Sequence, residues 1–115
     1  MTALDAAYAL LQVSGMRGNA PRIAAFLARL DLERVVTRHL LGRGWDVASA
    51  SMRSKLLCLR VAEPEASDAA DAAWLGLSRA CHYHAFDLQP TADEAAHLVG
   101  LVRLVQGAID DGPPA

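Results

Sequence analysis

The sequence predicts an all-α fold, a four- to five-helix up-and-down bundle, on three observations. Ala and Leu, both strong helix formers, dominate a chain that is 53% hydrophobic but only 5% aromatic. The β-branched and aromatic residues that strands favour are sparse apart from a few Val. Apolar residues recur at three- and four-residue spacing, in blocks separated by Gly, Pro, Asn and Ser. At 115 residues the chain fits one domain, assigned to residues 1–110, with a flexible tail at 111–115.

Thr2 caps a first helix in which Leu4, Ala7, Leu10, Leu11 and Ser14 share a face, and Gly15 ends it. "GMRGN" reads as a turn, and Asn19 with Pro21 starts a second helix. Ile23, Phe26, Leu27 and Leu30 form its apolar stripe. That helix continues to Gly42, with a bend expected near Asp31, where Val35, Val36, Leu40 and Leu41 take over in a different phase. "GRG" at 42–44 breaks the chain, and a third helix carries Trp45, Ala48, Met52, Leu56 and Leu59 on one face.

"EPEAS" at 63–67 is a connector, after which Ser67 caps a fourth helix with Asp68 and Asp71 in its first turn. "DLQP" ends that helix. "TADE" at 91–94 is a capping box: the Thr91 hydroxyl accepts from the Glu94 amide, and the Glu94 carboxylate reaches back. A fifth helix runs to about Ile109. It carries two apolar stripes, one through Ala95, Leu98, Val99, Val102 and Ile109 and another through His97, Leu101, Leu104 and Ala108, so it is either central or half of an oligomer contact. Gly100 and Gly107 lie on one face, where a neighbouring backbone has room to come close.

A net charge of −2 and a pI near 6.0 exclude a global polycation that would bind nucleic acid without specificity. Ten of the eleven basic residues are Arg, a skew that, with the Ala content, reads as the mark of a GC-rich bacterial genome. Cys58 and Cys81 sit in apolar helical patterns, not in stapled loops, which predicts a reduced, cytoplasmic setting. "MTALDAAYALLQVSG" has no basic leader and carries Asp5, so no signal peptide is expected, and no apolar run is long enough for a membrane span.

Polar chemistry concentrates in "SRACHYHAF", residues 78–86. On a helix turning about 100° per residue, Ala70, Ala73, Trp74, Leu77, Ala80, Cys81 and His84 share the core face. Asp68, Ala72, Leu75, Arg79, His82 and Phe86 share the opposite one. Arg79 and His84 diverge by about 140° on this geometry, whereas Arg79 and His82 are neighbours. Unless a site forms there, His84 is a satisfied residue at the core edge and Arg79 a solvated side chain paired with Glu94 or Asp87.

Arg79-Ala-Cys-His-Tyr-His84 is R-x4-H near the end of a helix in a small all-α bundle. It resembles the HEPN superfamily, many of whose members are metal-independent endoribonucleases with an R-x4-6-H motif late in the bundle. The resemblance covers the whole chain as architecture but only two residues as motif. Family members commonly have Asn, Asp or His directly after the Arg. Ala80 stands there in this chain, so either His82 supplies that polar function or the departure counts against catalysis.

The resemblance implies an RNA-binding protein and a metal-independent endoribonuclease of a toxin–antitoxin or phage-defence system, controlled by an antitoxin or other protein partner. Arg79, His82 and His84 are its catalytic candidates, and no metal or cofactor is called for. Histidine would move protons and the guanidinium would hold the phosphate. Because Arg79 and His84 diverge, a homodimer is expected to join the motifs of two chains across the half-apolar stripe of Ala72, Leu75, Arg79, His82 and Phe86. Arg53, Lys55 and Arg60 are the candidate RNA phosphate contacts.

Three readings compete. Cys58, Cys81, His39, His82, His84 and His97 are potential zinc ligands, but their spacing fits no structural-zinc pattern. A non-catalytic helical protein-interaction or oligomerisation module is the main alternative. Helix-turn-helix DNA binding around "GRGWDVASASMRSKLL" would use Arg53 and Lys55 on phosphates, yet offers few base-reading Asn or Gln.

Overall fold

A computed structural model describes residues 2–12, 20–82 and 90–110. These contain five α-helices and no strand, an all-α bundle: α1 (Ala3–Gln12), α2 (Ala20–Gly42), α3 (Met52–Ala62), α4 (Pro64–Cys81) and α5 (Ala92–Asp110). The expectations for Ser14, Gly15, "GMRGN", the Asn19 cap, Tyr83 to Asp87 and the tail at 111–115 lie outside the described residues. None of the described helices is long and apolar enough to cross a membrane.

Two helix starts stand where local chemistry predicts them. The Thr2 hydroxyl accepts from the Asp5 amide and the Asp5 carboxylate accepts from the Thr2 amide, each at 3.0 Å. These bonds hold the Asp5 carboxyl below its ordinary range. At α5 the Thr91 hydroxyl accepts from the Glu94 amide at 3.0 Å, and the Glu94 carboxylate accepts from that hydroxyl at 3.2 Å.

α2 packs against all four other helices and overturns the expected stripe. Its buried face is Ala24, Ala25, Ala28, Leu32, Val36 and Leu40, whereas Ile23, Phe26 and Leu30 lie outside. A central helix with neighbours on most of its circumference packs most closely through small side chains. The phase change at Asp31 marks no break, since the helix runs unbroken to Gly42. In its first half the large apolar residues face outward, and in its second half Val36 and Leu40 face inward. Asp31 itself is buried and accepts from Gln106 Nε2 of α5 at 2.7 Å, which satisfies its carboxylate.

α3 begins at Met52, not Trp45. α2 closes with Gly44 in the left-handed region (φ 89°), its amide donating to Leu41 O and that of Trp45 to Leu40 O. The chain then spends residues 45–51 placing Val47 in the core before Ser51 caps α3 by accepting from the Ser54 amide at 3.1 Å. α4 likewise begins at Pro64, three residues before the expected Ser67 cap. A residue that precedes proline is pushed out of the helical region, so Glu63 (φ −140°, ψ 74°) alone separates the two helices and Pro64 takes the first helical position. His39 of α2 and Arg43 just beyond its end each meet Glu63 Oε1 at 2.9 Å and pin this corner to the end of α2.

The two faces of α4 follow the periodicity: Ala66, Ala70, Ala73, Leu77 and Ala80 are buried, and Ala72, Leu75, Arg79 and His82 are exposed. α5 buries Ala95, Val99, Val102, Val105 and Ile109 and leaves Leu104 outside. A Cβ on Gly100 or Gly107 would meet nothing within 4 Å, so neither marks a close approach. Gly76 does: a Cβ there would collide with the Leu98 side chain of α5.

Candidate functional site

Without a side chain at Gly76, Leu98 lies directly on α4, and an open groove of about 650 Å³ between the two helices includes this contact. Gly76, Arg79 and Ala80 line it from α4, and Glu94, His97 and Leu98 from α5, with Pro90 at one end. Arg79 and Gly76 are three residues apart, as are Glu94 and His97, and residues at that spacing share a helix face. The groove therefore collects a guanidinium from one wall and a carboxylate and an imidazole from the other.

Arg79, Glu94 and His97 are exposed. Among the described residues no ion pair or hydrogen bond engages the side chain of Arg79 or His97. Glu94 is held through one oxygen by Thr91, which fixes its direction and leaves its second oxygen to act on a ligand. Asp93 and Glu94 occupy the first turn of α5, where the helix dipole favours anions.

The chain of α4 turns extended at His82 (ψ 122°), whose amide still donates to Ser78 O and Arg79 O at 3.2 Å. His82 is exposed beyond the helix end, and His84 lies outside the described residues. Of the catalytic candidates among the described residues, Arg79 lies in a groove and His82 does not line it. Glu94 and His97 are the partners the motif did not supply.

The three candidate phosphate contacts separate. Arg53 and Arg60 share a recess with Leu56, Leu57, Asp71 and Trp74 at the α3/α4 seam, where Arg60 pairs with Asp71. Trp74 also carries the Arg29 guanidinium, 4.2 Å from its ring centroid. Lys55 falls on the inner face of α3 with Met52, Leu56 and Leu59 and is 5% exposed. It lines a different groove, against Leu30, Thr37 and Leu41 of α2.

Among the described residues no three His, Cys, Asp or Glu side chains gather where they could hold a metal ion. His39 is occupied with Glu63. Cys58 and Cys81 are unpaired. Burial pushes the Cys81 thiol above its ordinary range against the smaller opposing pull of Arg29 and Arg22.

Sequence reasoning linked Arg79 with Glu94 only as a bland ion pair and placed His97 on an apolar stripe. The spacing of Glu94 and His97 shows that they share a face; the missing signal was which helix that face meets. In comparisons with protein-family models, curated proteins and solved structures, nothing matches the chain.

Proposed function

We propose that the α4/α5 groove binds RNA and cleaves its phosphodiester backbone by a HEPN-like reaction that calls on no metal ion. The observation that carries this reading is the meeting of Arg79, Glu94 and His97 in one groove. Arg79 clamps two phosphate oxygens and stabilises the charge that builds up as phosphorus becomes five-coordinate. The free oxygen of Glu94 accepts the proton of the ribose 2′-hydroxyl, and the 2′-oxygen attacks phosphorus. The 5′-oxygen leaves with a proton from the His97 imidazolium. The products are a 2′,3′-cyclic phosphate and a 5′-hydroxyl.

An imidazole exchanges protons near neutral pH, which suits this role. One chain supplies clamp, base and acid, so the reaction does not need the motif of a second chain. The setting that goes with such chemistry is a toxin–antitoxin or phage-defence system, with an antitoxin as the controlling partner.

The test is incubation with unstructured RNA in EDTA. The wild type is expected to release cyclic-phosphate ends. Arg79→Ala and His97→Ala are expected to slow release roughly a hundredfold or more, and Glu94→Gln to act similarly while keeping an oxygen for the cap. His84→Ala measures what the R-x4-H motif itself adds. Absence of cleavage by the wild type, or full activity in His97→Ala, overturns the reading.

A second reading, the helical interaction module, is favoured by a different observation: the large apolar residues on the outside of α2.

A further inference from the structure

Ile23, Phe26, Leu30 and Leu41 are 47%, 48%, 38% and 45% exposed, while the alanines behind them on α2 are fully buried. A helix that buries Ala and shows Ile, Phe and Leu has the arrangement of one with a partner on its outer side. The outer positions are also ordered along the helix. Ile23, Leu27, Leu30, Arg34, Thr37 and Leu41 are separated by four, three, four, three and four residues, the alternation of a coiled-coil seam. The seam runs for about 27 Å at 1.5 Å per residue.

The charges beside the seam choose its occupant and direction. With Leu27, Arg34 and Leu41 at the a positions, Glu33 takes g and Arg38 the following e, at exposed or partly exposed positions. In two parallel copies of the helix, g of one meets e of the next heptad of the other, so Glu33 faces the partner's Arg38 and the symmetry makes two such pairs. Arg34, at a, meets its own copy in this register, and the partner's Glu33 beside it offsets that like-charge contact. An antiparallel pairing centred on the seam would instead bring Glu33 toward its own copy and leave Arg38 unmatched.

We infer that the outer face of α2 is a homodimer interface, a second copy of the chain lying parallel against it with reciprocal Glu33–Arg38 ion pairs. It stands apart from the RNA reading, because it shares no residue with the α4/α5 groove.

Sedimentation equilibrium tests it. The wild type is expected to be a dimer at micromolar concentration, and Leu30→Glu a monomer with an unchanged helical circular-dichroism spectrum. Glu33→Arg and Arg38→Glu should each weaken the dimer roughly tenfold, and the double swap should recover it. These positions are not in the core, so the swaps keep the test valid even where Leu30→Glu fails to fold. A wild type that stays monomeric at tens of micromolar overturns the inference. So does a double swap that recovers nothing, or a Glu33→Gln variant that tightens the dimer, the result expected where Glu33 faces its own copy.

Discussion

α2 and α4 are both long, Ala-rich helices that pack on each other and on α5, yet they distribute their large apolar residues differently. α4 sets one large residue, Leu77, among buried alanines and leaves one, Leu75, outside with Arg79 and His82. α2 buries Ala24, Ala25 and Ala28 and turns Ile23, Phe26 and Leu30 outward. Position explains the difference. α2 is surrounded by four helices, and close approach of several neighbours at once favours side chains of minimal volume. An apolar stripe therefore identifies a face with little affinity for water, but in a central helix it does not say that this face looks inward.

Substitutions that exchange size between the two helices sharpen or break this contrast. Leu77→Ala, which empties a fully buried site on α4, should cost about 3 kcal/mol in urea unfolding, the largest effect expected. Ala28→Leu forces a large side chain into the tight inner face of α2 and should cost about 2 kcal/mol. A neutral result there would mean that the alanine face holds spare room, and the contrast between the helices would fail.

Thr91→Ala removes the cap of α5, the floor-side partner of both helices, and should cost about 1 kcal/mol with little change in thermal cooperativity. Leu30→Gln on the outer face of α2 should change stability by less than about 0.5 kcal/mol when measured on dilute monomer. A loss as large as that of Leu77→Ala would show that the outer stripe belongs to the core after all.

The smallest effect is a pH dependence. Burial raises the Cys81 thiol of α4 above its ordinary range, so the folded state holds the proton more tightly than the unfolded one. Its contribution is fully present at neutral pH and is lost as pH rises through the ordinary thiol range toward the higher folded value. Urea midpoints should fall on alkaline titration, and part of that fall should be absent in Cys81→Ala.

Much of this was legible residue by residue. The Thr2 and Thr91 caps rest on side chains reaching amides three residues away, and such bonds need nothing beyond the local chain. The face division of α4 was legible because its small residues and its polar residues repeat on opposite sides of the helix. The starts of α3 and α4 were not. Apolar spacing extended α3 back to Trp45, while the Schellman turn at Gly44 and the Ser51 cap set its start later. Ser67 resembled a cap, while the backbone restriction that Pro64 places on Glu63 had already begun the helix.

The candidate site divides in the same way. Arg79 stood out because basic and imidazole side chains cluster in "SRACHYHAF". Its groove partners, Glu94 and His97, became visible only when Gly76 admitted Leu98 and set the packing of α5 on α4. Lys55, a candidate phosphate contact along with Arg53 and Arg60, lies on the inner side of α3 against α2.

Helix content, the local caps and the presence of two apolar faces on a helix are properties of short stretches of chain, set by propensity and by hydrogen bonds a few residues long. Which of those faces is buried depends on how many neighbours surround the helix. Which side chains share a groove depends on where two distant helices touch. Both are decided by packing between residues far apart in the chain, so α2 acquired its alanine core face and Arg79 its two groove partners only in the folded bundle.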